Sequence, residues 1–135
     1  MRPMTAICGL ALALAAAHPL EAHETVREDQ AQRGQGSFYH PRNFTGRPMA
    51  NGDRFDPNSN SAASRTLPLG TVAEVTNLQN GETRRVVIED RGPYVGGRII
   101  DVSPRTATEL GMRDEGVVPV EVRPVGRLPN QARGN

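Results

Sequence analysis

Hydrophobic and polar residues alternate along several short stretches of the chain, a pattern typical of β-strands with one buried face. Five such stretches are the predicted strands: residues 37–39, 71–77, 83–90, 98–102 and 117–122. Between the second and the third lies Asn80-Gly81, a strong hairpin signal because both residues accept a positive φ. The pattern therefore indicates mostly short strands joined by tight turns.

One short helix is predicted after the fourth strand. Ser103 is a favoured N-cap, Pro104 suits the first helical position, and Gly111 suits the C-terminal stop. Ala107 and Leu110 give this helix an apolar side that can cover one mouth of a barrel. Many short strands, frequent Gly and Pro, and a single helix favour a small all-β barrel.

The chain of 135 residues allows one small domain, which we place at residues 36–126. Residues 1–22 resemble a secretory signal peptide: Arg2 precedes the apolar run 6–17, which is too short to span a bilayer. The alternative for this run is a buried N-terminal helix. Residues 23–35 are predicted as a flexible lead-in and residues 127–135 as a disordered tail, so we expect an exported, periplasmic domain that its own sequence does not anchor to lipid.

Charge and metal-ligand content exclude several classes of function. The chain has 16 basic residues, all of them Arg, against 15 acidic ones, and they are scattered, which argues against nucleic-acid binding. The only cysteine, Cys8, lies in the predicted signal peptide, and His40 is the only histidine of the predicted domain. We therefore expect no metal site, and the sequence contains no cofactor-binding fingerprint.

Asp90 is the strongest candidate for acid–base chemistry, because it ends a run of branched aliphatic residues. With a period of two, Val86, Ile88 and Asp90 share one face of the strand. Partial desolvation there would let this carboxyl act as a general acid. The alternative is that Asp90 pairs with a turn amide or with Arg91, and spacing leaves both interpretations open.

Two further carboxylates are less distinctive. Asp101 follows two isoleucines, and it is either a second acid on the barrel rim or an acceptor for the amides at the start of the Ser103 helix. Asp53 lies in a turn-rich loop and would, taken alone, be an ordinary turn residue.

Five aromatic residues divide into two groups. Phe38, Phe44 and Phe55 are interpreted as core bulk in an aromatic-poor protein. Tyr39 and Tyr94 are better ligand candidates, because a ring with a polar tip can stack on a sugar face and still form a hydrogen bond.

Five sequence blocks, in this order and spacing, resemble the rare lipoprotein A family: ANGDRFD, RTLPLGT, VTNLQNG, DRGPY and GRIIDVS. The resemblance extends over residues 36–125 and implies a six-stranded double-psi β-barrel with an open groove. It also implies an endolytic lytic transglycosylase that cleaves the β-1,4 bond between N-acetylmuramic acid and N-acetylglucosamine in peptide-stripped glycan strands. The muramic C6 hydroxyl closes on C1, which leaves a 1,6-anhydro end.

The resemblance also assigns site residues. Asp90 matches the family's catalytic aspartate, and Asp53 stands as second carboxylate where the family usually has Glu. Ser64 stands where the family usually has His, and a hydroxyl cannot shuttle a proton near neutral pH as imidazole does. The predicted substrate-binding residues are Tyr39, Ser64, Arg65, Arg91, Tyr94 and Asp101.

Peptidoglycan glycan strands are the expected partner, and a monomer without cofactor is the expected state. Two alternatives remain at this point. The first is an expansin-like barrel that binds glycan in the same groove without cleaving it. The second is an envelope module whose groove binds protein.

Overall fold

The computed structural model of the protein describes residues 30–129. The predicted signal peptide and Cys8 lie outside the described residues. Six strands are present: β1 Gln32–Phe38, β2 Ser61–Ala63, β3 Thr71–Asn77, β4 Thr83–Asp90, β5 Arg98–Val102 and β6 Val118–Arg127. Two short helices accompany them, α1 Pro41–Phe44 and α2 Pro104–Glu109. The predicted bounds of β3, β4 and β5 are confirmed.

The strands close into a barrel in the order β1-β5-β2-β4-β3-β6. The pairs β1·β5 and β2·β4 are parallel, whereas the other four pairs are antiparallel. The barrel interior is aliphatic, and its largest fully buried side chains include Val75, Val86, Ile88, Ile100 and Val120. Neither helix of residues 30–129 is long and apolar enough to cross a membrane.

The first strand begins earlier than predicted. β1 starts at Gln32, so residues 32–35 belong to the barrel and not to the flexible lead-in. Glycines hid this strand from the hydrophobic pattern, because they stand where neighbouring strands approach closely. A Cβ on Gly34 would lie 2.7 Å from Ile99 Cγ2, and one on Gly36 would lie 2.9 Å from Val120 Cγ1. At the other end, β6 continues to Arg127, the first residue of the predicted tail.

The sequence missed two short elements. β2 has three small residues, Ser61, Ala62 and Ala63, which are all buried and therefore show no alternation. α1 is a single turn that begins at Pro41, so the barrel carries two helices where one was predicted. The predicted α2 is confirmed, and its N-cap Ser103 accepts a hydrogen bond from the amide of Thr106 at 3.1 Å.

A register shift between β2 and β4 decides where the candidate acid points. Ala62 pairs with Ile88, but Ala63 pairs with Asp90, so β4 contains one extra residue, Glu89, at this point. Such a bulge turns the following side chain out of the simple alternation. Asp90 therefore leaves the interior face of Ile88 and lies beside Ala63, which corrects the shared face expected from the sequence.

On its other side, Ala63 pairs with Asp101 of β5. Asp90 and Asp101 thus flank the same short strand, and two strand spacings separate their α-carbons by about 10 Å. On β2, the residue between these two carboxylates is Ala63, whose side chain is a single methyl group. The barrel surface is therefore shallow at this point and carries an acid on each side.

Candidate active site

An open groove of about 320 Å³ lies at the C-terminal end of β4. It is lined by residues that include Tyr39, Phe44, Asp90, Arg91, Tyr94 and Asp101. Five of the eight predicted site residues are therefore brought together. The other three, Asp53, Ser64 and Arg65, are not among the residues that line it.

The carboxylate of Asp90 is held by three hydrogen bonds. The amides of Ala50 and of Arg91 both donate to Oδ1, at 2.9 Å each. The hydroxyl of Tyr39 donates to Oδ2 at 2.8 Å. Two donors occupy both lone pairs of Oδ1, whereas Oδ2 keeps one lone pair for a proton. Oδ2 is therefore the oxygen suited to carry a proton to a ligand in the groove.

Tyr39 is 5% exposed and is fixed by other aromatic rings. Its ring stacks on Phe55, with 4.2 Å between centroids, and meets the edge of Phe44 at 5.3 Å. Burial raises the pKa of the Tyr39 hydroxyl far above its usual value, and the hydrogen bond to Asp90 raises it further. Tyr39 thus stays a neutral donor that orients Asp90, which differs from the sugar contact predicted for its polar tip.

Arg91 stands next to Asp90 in the chain, but its guanidinium turns away. Arg91 Nη1 donates to the carbonyls of Ser64 and Leu67, at 2.8 Å and 2.7 Å. Asp90 therefore pairs with two amides, one of which belongs to Arg91, and the Arg91 side chain takes no part in this pairing. Arg91 braces the turn that follows β2.

Ser64 lies inside that turn and is 2% exposed. Its Oγ accepts hydrogen bonds from the amides of Thr66 and Leu67, at 3.2 Å and 3.0 Å. The Ser64 hydroxyl is thus occupied by backbone donors beneath the surface. Its role in this geometry is to stabilise the turn.

Asp101 is fixed at the groove by a polar cluster. Ser37 Oγ donates to Asp101 Oδ1, and Arg98 Nη2 lies 3.7 Å from the same oxygen. Arg98 also donates to Ser37 Oγ, at 2.7 Å from Nη2. The helix cap is provided by the Ser103 hydroxyl, so Asp101 is an acid of the rim, as one of the two sequence interpretations proposed.

Comparison with known proteins agrees with this geometry. The lytic transglycolase family matches residues 31–122, which include most of the barrel and all of the groove residues named above. The chain belongs to this family. A closed barrel with mixed parallel and antiparallel pairs is the double-psi β-barrel that the sequence resemblance implied.

Relatives of this lytic transglycolase barrel have similar names. The chain is 48% identical over 96 residues to the probable endolytic peptidoglycan transglycosylase RlpA of Nostoc sp., covering 70% of this chain and 26% of that protein. It is 41% identical over 101 residues to the endolytic peptidoglycan transglycosylase RlpA of Neisseria meningitidis serogroup B, covering 75% and 41%. The matched region thus spans about a quarter to two fifths of these relatives' length.

Solved structures share the barrel. The Streptomyces papain inhibitor superposes with a TM-score of 0.59 at 26% identity, covering 71% of this chain and 94% of that one. The apo expansin of Clavibacter michiganensis superposes with a TM-score of 0.55 at 22% identity, covering 71% and 50%. The second likeness shows a common fold alone.

Besides Ser64, two more predicted site residues do not line the groove, Asp53 and Arg65. Asp53 is exposed, and its carboxylate accepts a hydrogen bond from Asn51 Nδ2 at 3.2 Å. Arg65 donates to the carbonyl of Arg98 at 3.3 Å and borders a separate hollow of about 190 Å³ with Gln32. Asp53 thus contacts its own loop, and Arg65 lies at a different hollow from Asp90.

Sequence reasoning missed two residues of this region. Phe44 was interpreted as core, yet it is 36% exposed and lines the same groove as Tyr94. Glu89 was not singled out, although two consecutive carboxylates at a strand end are a visible signal. Within residues 30–129, no cluster of three or more His, Cys, Asp or Glu side chains could hold a metal ion.

Proposed function

We propose that this chain is the catalytic barrel of an exported endolytic peptidoglycan transglycosylase that acts in the periplasm. Its substrate is the glycan strand, and its products are a 1,6-anhydromuramic end and a free N-acetylglucosamine end. The observation that carries the proposal is the groove acid Asp90, whose Oδ2 faces a single donor, Tyr39, at 2.8 Å. The names of the relatives support the substrate class.

The reaction needs one carboxyl group that acts twice. Asp90 donates its proton from Oδ2 to the bridging oxygen O4 as the C1–O4 bond breaks. The resulting carboxylate then accepts the proton of the muramic C6 hydroxyl as O6 bonds to C1. The acid is thereby restored and no water is consumed. Tyr39 remains a donor to Oδ2 in both steps, because its raised pKa keeps it protonated.

Substrate contacts are assigned to the exposed groove residues. Tyr94 is 79% exposed, so its ring is free to stack on a sugar face beside Asp90. Asp101 supplies an acceptor for sugar hydroxyls about two strand spacings away. Arg91 contributes chiefly by holding the groove wall in place.

One observation favours a second candidate, a barrel that binds glycan without cleaving it. The Ser64 hydroxyl is engaged by two backbone amides, so it offers no proton-transfer group where the family usually has His. Asp53 is likewise held by its own loop. Catalysis here would thus depend on Asp90 alone.

A product assay separates the two candidates. The protein is incubated with peptide-stripped glycan strands, and mass spectrometry detects 1,6-anhydromuramic ends. We expect these ends with the wild type and a loss of roughly 10²- to 10⁴-fold with Asp90→Asn, the usual contribution of a general acid. Binding of the strands without new ends, at high protein concentration, would reject cleavage and support the binding module.

A further inference from the structure

The bulge in β4 directs two consecutive carboxylates onto one loop. Because Glu89 is the extra residue between the pairs Ala62–Ile88 and Ala63–Asp90, both Glu89 and Asp90 reach the same segment, residues 49–53. In a regular strand, neighbouring side chains point to opposite faces. The bulge therefore allows both Glu89 and Asp90 to form hydrogen bonds with residues 49–53.

The Glu89 side chain is held by β2 on one side and by residues 49–53 on the other. Ser61 Oγ donates to Glu89 Oε1, and Ser61 is 2% exposed at the start of β2. Above it, Asn51 Nδ2 donates to Glu89 Oε2 at 3.4 Å, and the Asn51 amide donates to the Glu89 carbonyl at 3.1 Å. Glu89 thus connects the loop to a buried strand.

The loop transmits this anchoring to the acid. Asn51 Oδ1 accepts from the amide of Asp53 at 2.9 Å, and the Met49 amide donates to the Asp53 carbonyl at 2.7 Å, so residues 49–53 form one closed turn. The Ala50 amide lies within this turn and donates to Asp90 Oδ1. A displacement of Asn51 would consequently displace the Ala50 amide as well.

We propose that Glu89 is a positioning residue for Asp90, a role that rests on the proposed function. By fixing residues 49–53, Glu89 keeps the Ala50 amide on Oδ1, and it thereby leaves Oδ2 as the oxygen that carries the proton. Without this anchor, Oδ1 loses a donor and the carboxyl group can rotate or share its proton between both oxygens. Such misplacement lowers the rate of proton transfer more than it lowers binding.

Two substitutions separate positioning from acid–base chemistry. Glu89→Gln retains an acceptor for Asn51 Nδ2, and its amide can donate to Ser61 Oγ, because a hydroxyl both donates and accepts. Glu89→Ala loses both side-chain contacts and keeps only the backbone bond from the Asn51 amide. If Glu89 positions the loop, Glu89→Gln should retain the cleavage rate that Glu89→Ala loses. If Glu89 transfers a proton or acts through its charge, both variants should lose it.

Cleavage kinetics on peptide-stripped glycan strands are the first measurement. We expect Glu89→Ala to lower kcat by roughly 10- to 100-fold with KM nearly unchanged, and Glu89→Gln to stay within about threefold of wild type. Glu74→Ala is the matched control, a strand carboxylate paired with Arg85 far from the groove, and it should leave kcat unchanged. Equal losses for Gln and Ala, or no loss for Ala, would overturn the proposal.

Hydrogen exchange of the Ala50 amide, followed by NMR, is the second measurement, and it requires no activity. Exchange should accelerate by roughly tenfold in Glu89→Ala and in Asn51→Ala, but not in Glu89→Gln or Glu74→Ala. Unchanged exchange in both alanine variants overturns the positioning role even if the enzyme is active. An inactive wild type with accelerated exchange overturns the proposed function and upholds the anchor.

Discussion

Carboxylates lie both on the outer face of the barrel and in the groove at the end of β4. The two regions differ in the partners that hold these carboxylates. On the outer face, Glu74 pairs with Arg85 at 2.9 Å and Glu121 pairs with Arg33 at 3.2 Å. Both arginines are mostly exposed, at 63% and 71% of their side chains. In the groove, Asp90 is bound by uncharged donors, a phenol and two amides.

The carboxylates of one barrel are thus held in two different ways, by ion pairs on the outer face and by neutral donors in the groove. An arginine on a carboxylate favours its ionised form, which would oppose a general acid. Here the guanidinium of Arg91, the next residue in the chain, is engaged by two backbone carbonyls instead. Asp90 is therefore oriented by a phenol and two amides rather than by an ion pair.

Among these tests of the comparison, removal of the Tyr39 hydroxyl should have the largest effect. Tyr39→Phe keeps the ring that stacks on Phe55 but deletes the donor to Asp90 Oδ2. A hydrogen bond to a charged group contributes about 1.5–3 kcal/mol, so we expect kcat to fall by roughly 10- to 100-fold. The measurement is the rate of formation of 1,6-anhydro ends.

Tyr94→Phe is the control for that variant, since it removes a hydroxyl from the other tyrosine, which is 79% exposed. It should change kcat by less than about threefold, because stacking uses the ring and not the hydroxyl. If Tyr39→Phe retained full kcat, the two amides alone would orient the acid. The proposed role of the Tyr39 hydroxyl in orienting Asp90 would then be wrong.

Stability at alkaline pH follows from the same buried phenol. Tyr39 has a raised pKa in the folded protein, because of burial first and the Asp90 hydrogen bond second, whereas an unfolded tyrosine has a pKa of about 10. Above that pH the unfolded chain releases the proton and the folded chain keeps it. The free energy of unfolding should consequently fall by about 1.4 kcal/mol for each pH unit.

The composition makes this slope measurable. The chain contains no Lys, only two Tyr, and arginines that stay protonated throughout, so few groups compete with Tyr39 in this range. Urea unfolding above about pH 10 should show the slope in wild type and in Tyr94→Phe, but not in Tyr39→Phe. An identical slope in all three proteins would mean that another group is responsible.

Much of the barrel could be predicted because its strands obey local rules. β3 and β4 alternate around an Asn-Gly turn, and their bounds follow from that pattern. The start of β1 and the whole of β2 could not be predicted, because Gly34 and Gly36 serve the close approach of neighbouring strands and the small residues of β2 are all buried. That property depends on partners distant in sequence, which alternation does not reveal.

The candidate site was likewise predicted only in part. Asp90 was identified from its position at a strand end and from the family resemblance, and its place in the groove agrees. Its orientation could not be predicted, since one extra residue, Glu89, reverses the face on which alternation would put it. Ser64 and Asp53 were predicted as site residues from the family resemblance, but local hydrogen bonds within their own turns engage both side chains.

The smallest effect is expected on the outer face. Arg85→Ala removes the ion pair with Glu74, but water and salt screen a pair whose arginine is 63% exposed. The free energy of unfolding should change by less than about 0.5 kcal/mol, and cleavage should be unaffected. Urea unfolding at low and high salt measures the first quantity. A loss above about 1 kcal/mol that disappears in high salt would show that the outer ion pairs stabilise the barrel, and the contrast with the groove would then lie only in function.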